Sequence, residues 1–127
     1  MNDTVLHHLS IAHHLLRKTY PSTHDPKILL VAAEHIYLAA DHFLSAAYPH
    51  HSSFSQRIRH LSKSSPSLAS HLRDLHEAMH NHEESTVEFG RNGAYIICDD
   101  NYRTTMLSLP LLIHLYDDIS SLAGSTA

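Results

Sequence analysis

The stretch 26–48, PKILLVAAEHIYLAADHFLSAAY, constrains the fold most, because it is the most apolar long segment of the chain. Its ends carry the expected signals: Asp25 can cap a helix, Pro26 suits a first helical turn, and Pro49 follows the last one. Its 23 residues would form a helix about 34 Å long, about the width of a small domain. We therefore expect the other elements to pack around this helix.

Length and composition favour one helical domain. The chain has 127 residues, of which 43% are hydrophobic, so residues 1–127 are expected to form a single domain with a real core. Three glycines and five prolines are too few for a turn-rich β fold. Leu and Ala also outnumber Val and Ile, which favours helix over strand.

The stretch 26–48 is long enough to span a bilayer, but polar residues argue against this. Glu34 and Asp41 lie in its middle, each followed by a histidine, and each charge there would cost about 2.5 kcal/mol or more. The N-terminal segment lacks the basic region of a signal peptide. The single cysteine, Cys98, is typical of a reducing compartment. These features predict a cytoplasmic protein with no membrane partner.

Apolar periodicity predicts four main helices and one short one. They cover 3–17, 26–48, 54–62, 65–83 and a last helix up to Gly124. Pro110 either lies in the first turn of that last helix, with Ser108 as its cap, or kinks a helix that begins at Thr104. The stretch 85–103 is the least helical, and its YIIC run is either a short strand or a buried extended segment. We therefore predict an all-α, single-domain, up-and-down helical bundle.

Charge gives only weak support to a nucleic-acid partner, since the formal charge is −4 and the pI is near 6.4, so nucleic acid stays a weaker alternative to a protein partner. Histidine is the unusual component, with 15 residues against nine Lys plus Arg. The simplest interpretation is a solvated surface on which His replaces Lys. The alternative is a metal site in the bundle, because Glu-x-x-His motifs hold metals in such folds. Its candidate ligands are His76, Glu77, His80 and Glu84.

Two incomplete patterns limit the metal interpretation. A second Glu-x-x-His is absent, since Tyr37 stands three residues after Glu34. The pair His76 and His80, and His114 with Asp117 or Asp118, are similar to the hemerythrin pattern. However, the central helix lacks the matching His-x-x-x-Glu element, and the spacing from His114 to these aspartates does not fit. We therefore predict no cofactor.

A second candidate is a polar seam on the central helix. His35 and His42 are seven residues apart and share one helix face, and Glu34 and Asp41 repeat this spacing one residue earlier. These two acid–His couples either face a pocket or partner chain, or form the solvent-facing edge of the helix.

Signatures of catalysis are missing from the sequence. It has no Gly-x-Ser-x-Gly elbow, no P-loop and no dinucleotide fingerprint. Cys98 precedes two aspartates, which disfavour a thiolate, so a buried inert cysteine is expected. A polar binding site on the long loop is the remaining candidate, although its arginines could instead pair with nearby carboxylates. Its members would be Arg91, Asn92, Tyr95, Tyr102 and Arg103.

The order of elements resembles a known class of small prokaryotic helical bundles. An Ala-rich central helix, AAEHIYLAADHFL, precedes a short helix with RIRHL, a Leu-spaced helix and an Arg-Asn-x-x-Tyr turn. This layout over 27–121 resembles the HEPN class. The resemblance implies an up-and-down bundle that forms a homodimer.

HEPN ribonucleases carry an Arg followed by four to six residues and a His near the last long helix. Arg91 stands at the corresponding place here, but Ile96 and Ile97 occupy the positions where the His is required. Arg17 with His24 and Arg73 with His80 have the spacing, but they lie in other elements. The resemblance therefore implies a non-catalytic interaction module, such as the HEPN partners of nucleotidyltransferases in toxin–antitoxin-like pairs. A His/carboxylate metal-binding bundle and a degenerate HEPN ribonuclease remain the alternatives.

Overall fold

The computed structural model describes residues 3–85, 87–91, 93–99, 101 and 103–125. The first helix is continuous through three segments, of which the middle one is a π-helix. The elements in chain order are α1 (Asp3–His14), the π-helix (Leu15–Thr19), α2 (Tyr20–Thr23), α3 (Lys27–Ala47), α4 (Phe54–Leu61), α5 (Pro66–Glu84), β1 (Val87–Arg91), β2 (Ala94–Cys98), β3 (Thr104–Ser108) and α6 (Leu109–Ser125).

The three strands show that the predicted all-α helical bundle is wrong. They form an antiparallel sheet in the order β1-β2-β3, so the chain has an α+β fold. The YIIC run lies within β2, which confirms the strand alternative for that segment. The up-and-down bundle packing expected from the HEPN resemblance is therefore wrong as well.

The segment before α6 explains the error. Leu107 and Leu111 have helical spacing, but Leu107 lies on a strand in which exposed and less exposed residues alternate. Two adjacent β-branched residues, Thr104 and Thr105, favour this extended backbone. The helix begins at Leu109, and the Ser108 hydroxyl accepts a hydrogen bond from the Leu111 N–H at 3.3 Å. Pro110 therefore lies in the first turn of α6, and a helix beginning at Thr104 is wrong.

Helix α3 is the centre of the core, as predicted. The Asp25 carboxylate accepts a hydrogen bond from the Lys27 N–H at 3.0 Å and so caps the helix start. The first helix, α4, α5, α6, β2 and β3 all contact α3. By length and composition, α3 is also the one helix among the described residues that could cross a membrane. Here its fully buried residues are Leu29, Ala32, Ala33, Ile36, Ala39, Ala40 and Leu44.

Two other helices match their predicted bounds closely, and one does not. The Ser53 hydroxyl caps α4 by accepting from the Gln56 N–H at 3.1 Å, and α5 ends one residue later than expected. The first helix continues beyond the predicted end at 17, because the π-helix carries it on to Thr23. It stops at His24, which has a left-handed backbone with a φ of 53°.

The sheet lies against the helices with one face. Tyr95, Ile97 and Leu107 are on this inner face and join the main hydrophobic cluster. β3 passes into α6 with no residue between them. The opposite face of the sheet, called the outer face below, points away from α3, α5 and α6.

Candidate functional site

The predicted polar loop site is not brought together as one group. Arg91 and Arg103 are exposed, on β1 and immediately before β3. Tyr95 is buried, with 6% of its surface exposed, and faces the core. Asn92 and Tyr102 lie outside the described residues. Of the described members, Tyr95 therefore makes its contacts inside the protein, whereas Arg91 and Arg103 lie on the surface.

The inner contact of Tyr95 is a hydrogen-bond cluster around Glu88. The Tyr95 hydroxyl donates to Glu88 Oε1 at 2.6 Å, and His82 Nδ1 donates to Glu88 Oε2 at 2.6 Å. The Ser85 hydroxyl also donates to Oε2. On its other side, His82 Nε2 lies 3.8 Å from Glu34 Oε1. These five residues, the Glu88 network, join α3, the end of α5 and the first two strands.

Burial and hydrogen bonding shift the pKa values of Glu88 and Tyr95 in opposite directions. Burial would raise the pKa of Glu88, but hydrogen bonds from Ser85, Tyr95 and His82 outweigh it and lower the pKa below the ordinary value. Burial and the hydrogen bond to the Glu88 carboxylate raise the pKa of Tyr95 to about 12. Near neutral pH the pair is therefore a carboxylate with a neutral phenol, a stable arrangement that suits a structural role.

The acid–His seam of α3 contacts other parts of the same chain. His35 Nδ1 lies 2.9 Å from His8 Nδ1, and the ring of His42 is stacked 6.0 Å from that of His8. Glu34 approaches His82, as described, and Asp41 Oδ1 lies 3.5 Å from an Arg57 guanidinium nitrogen. Each residue of the seam therefore has a partner on α1, α4 or α5.

His8 is the centre of this histidine group. Burial, and then the neighbouring His35, His7 and His42, lower the pKa of His8 below its ordinary value. In a contact between two ring nitrogens, one nitrogen must donate a proton and the other must accept it. The 2.9 Å contact therefore requires that either His8 or His35 keeps an unprotonated Nδ1.

The predicted alternative metal ligands are dispersed. His76 Nδ1 is hydrogen-bonded to the Tyr37 hydroxyl at 2.9 Å, and its ring stacks on Phe54. His80 and Glu84 pair with each other at the exposed side of α5, with 3.8 Å between Nε2 and Oε2. Glu77 lines a cleft beside β3. His76 is therefore held by Tyr37 and Phe54, whereas His80 and Glu84 pair with each other.

A different histidine–carboxylate group does converge, and the sequence reasoning, which named His114 and its aspartates, missed His71 as the third member. His71 of α5 meets His114 and Asp118 of α6. The available signal was the i,i+4 spacing of His114 and Asp118, which puts both on one helix face. His71 is 43 residues away from His114, and no local pattern indicates that the two helices meet there.

The outer face of the sheet is apolar. In β1 the usual alternation is inverted: Glu88 points inward, whereas Val87 and Phe89 are 52% and 44% exposed. The strand register places Phe89, Ile96 and Met106 in one row across the three strands. Met106 is 57% exposed and Ile96 only 5%, so two protruding side chains flank a recessed one.

A second row extends this surface. Val87, Cys98 and Thr104 are paired across the sheet on the same side. Ile96 is buried but lies outside the main hydrophobic cluster. Val87, Phe89 and Met106 are exposed and likewise lie outside that cluster. We call it the outer apolar face and define it by Val87, Phe89, Ile96, Cys98 and Met106.

Arg91 lines a cleft together with residues from the N-terminal part of the chain. The cleft has a volume of about 400 Å³, and its lining includes Tyr20, His24 and Arg91. Gly90 lies at the same place against Pro26, so close that a Cβ on Gly90 would be 2.4 Å from the proline Cγ. The turn before α3 therefore brings a histidine and an arginine to one opening.

No family model, curated protein or solved structure matches this chain. The HEPN resemblance stays a prediction, and the functional argument rests on the geometry described above.

Proposed function

We propose that the chain is a HEPN-like interaction module without a reaction of its own, and that it forms a homodimer through the outer apolar face. The observation that carries this proposal is the exposure of Val87, Phe89 and Met106 on a sheet whose other face packs Tyr95, Ile97 and Leu107 into the hydrophobic core. Contiguous exposed apolar side chains on a small protein mark an interaction surface.

Shape favours a second copy as the occupant of this face. Phe89 and Met106 protrude on either side of Ile96, so the surface has both a ridge and a groove. In a two-fold dimer, the same patch faces itself, and the Met106 ridge of each copy can enter the groove over Ile96 of the other. The patch is small, so we expect a weak dimer whose population depends on concentration.

The resemblance adds a partner class and a setting to this proposal. A nucleotidyltransferase-like protein would bind the dimer, and the complex would be cytoplasmic. The net charge of −4 supports a protein partner better than a nucleic acid.

The test is the molar mass of the tag-free protein as a function of concentration, measured by light scattering. We expect a dimer at high concentration and a monomer for the double variant Phe89→Ser, Met106→Ser. Leu6→Ser is the matched control, because Leu6 is 46% exposed but lies on α1. This variant should dimerise as the wild type does.

Two results would count against the proposal. A wild-type protein that is monomeric at millimolar concentration would exclude the homodimer. A double variant that is folded by circular dichroism and still dimerises would place the interface elsewhere. Co-expression with a neighbouring nucleotidyltransferase, followed by co-purification, tests the partner class separately.

The degenerate ribonuclease is a second candidate, and the Arg91 cleft favours it. Ribonuclease chemistry of this kind needs an arginine and a histidine, and Arg91 and His24 line one opening. If the purified protein cleaves RNA, Arg91→Ala and His24→Ala should each abolish the cleavage, whereas Arg103→Ala should not. Equal cleavage by all three variants would show that the activity comes from another site.

A further inference from the structure

We propose that His71, His114 and Asp118 bind a divalent transition-metal ion such as Zn²⁺ or Fe²⁺. One nitrogen of each imidazole and one oxygen of the carboxylate all lie within 4.8 Å of one another. No other group of three or more metal-ligating side chains within the described residues meets this distance. The proposal is independent of the outer apolar face.

The distances are close to those that coordination requires. Metal bonds to imidazole nitrogen and carboxylate oxygen are about 2.0–2.2 Å long, so two ligands on one tetrahedral ion lie about 3.4 Å apart. His114 Nε2 and Asp118 Oδ2 are already 3.2 Å apart. The remaining ligand, from His71, needs a side-chain adjustment of about 1–2 Å at most.

The hydrogen bonding of His71 also favours coordination. Its Nδ1 is buried, and it has no hydrogen-bond partner within the described part of the chain. Leaving a buried polar atom unpaired costs about 1–3 kcal/mol, so such atoms are uncommon in stable proteins. Coordination through Nδ1 would supply the missing partner. The His71 ring also meets the His114 ring edge-on, with 5.1 Å between their centroids.

The donor set indicates the class of metal. Two imidazoles and one carboxylate suit Zn²⁺ and Fe²⁺, whereas Mg²⁺ and Ca²⁺ prefer oxygen ligands alone. Three protein ligands leave at least one coordination position for water. A cleft of about 610 Å³ beside His114 and Asp118 has room for such a ligand, and its polar lining includes Ser65, Ser67 and Ser121.

The chain contains a matched control for this site. His80 and Glu84 are spaced i,i+4 on a helix surface, as His114 and Asp118 are. The side chains of His80 and Glu84 are both exposed. No histidine from another helix completes that pair to a three-ligand group among the described residues. A variant of His80 therefore tests whether binding needs the third ligand or only a histidine-rich surface.

The experiment is a titration of tag-free, chelator-treated protein with Zn²⁺ by calorimetry and with Co²⁺ by visible absorption. We expect one site per chain, with Co²⁺ bands typical of mixed nitrogen and oxygen ligands. His71→Gln, His114→Gln and Asp118→Asn should each weaken that site by more than about 10-fold, whereas His80→Gln should leave it unchanged.

Circular dichroism of each variant separates loss of binding from loss of folding. Equal weakening by His114→Gln and His80→Gln would show unspecific binding to the histidine-rich surface and would overturn the proposal. If the wild-type protein bound Zn²⁺ no more tightly than the His71→Gln variant, this would overturn the proposal as well.

Discussion

Tyr95 and Glu88 lie diagonally across β1 and β2 on the inner face of the sheet, with 2.6 Å between the phenol oxygen and the carboxylate. Ser85 and His82 donate to the same carboxylate. A half-buried charge with three donors holds the start of the sheet against the end of α5, so the Glu88 network should contribute to stability.

Glu88→Ala should lower the free energy of unfolding by about 2–4 kcal/mol, because three donors lose a charged acceptor at once. Urea denaturation measures this change. Glu84→Ala is the control, since the Glu84 side chain is 67% exposed, and it should change stability by less than about 0.5 kcal/mol. Equal effects of the two substitutions would show that the network is not stabilising.

Tyr95 should ionise late in an alkaline titration. Its pKa is about 12, against about 10 for a free phenol, because burial and the Glu88 carboxylate disfavour the phenolate. Absorbance at the phenolate wavelength should therefore show a step near pH 12 that is absent in Tyr95→Phe. Since the folded pKa is raised, the contribution of Tyr95 to stability is complete below pH 10 and is lost as the pH rises above it. A Tyr95→Phe profile identical to that of the wild type would contradict this assignment.

Mild acid should destabilise the contact between α1 and α3. The pKa of His8 is lowered, so the unfolded chain, with an ordinary value of 6.5, takes up this proton more readily than the folded chain. The contribution is complete above pH 6.5 and is lost as the pH falls below it. Thermal melts from pH 7.5 to 5 should show a smaller decrease in Tm for His8→Asn than for the wild type. His50→Asn, at an exposed position, should follow the wild type.

Gly90→Ala should be destabilising by about 1–3 kcal/mol, because its Cβ would lie 2.4 Å from Cγ of the rigid Pro26 ring. Gly124→Ala is the opposite case. Gly124 lies in α6, and beyond its own turn of helix no described residue has an atom within 4 Å of an added Cβ, so alanine there should stabilise the helix by up to about 1 kcal/mol. Denaturation midpoints of the two variants should therefore move in opposite directions, and a stable Gly90→Ala would contradict the close contact with Pro26.

The central helix was predictable because its signals are local. Its apolar residues recur along one segment, and Asp25 and Pro26 directly precede Lys27, where the helix begins. The start of α4 at its Ser53 cap followed from the same kind of signal. Such elements can be predicted without knowing what packs against them.

The sheet and the polar clusters depend on contacts that are distant in sequence. β1 has apolar residues on its exposed side, so the usual inward placement of hydrophobic residues gave no guide to its orientation. His35 was correctly placed on a face with His42, but its partner, His8, is 27 residues earlier in the chain. Periodicity assigns a residue to one side of a helix, and tertiary packing decides what lies opposite.

Cys98 is the single cysteine of the chain, and it is half-buried on the outer apolar face between Val87 and Thr104, not buried as the sequence suggested. A fluorescent or spin-labelled maleimide would therefore react at one defined position without any engineered residue. Because this position is half-buried on the surface that we propose to dimerise, the labelling rate reports directly whether that face is covered. The native sequence thus carries its own spectroscopic reporter of assembly.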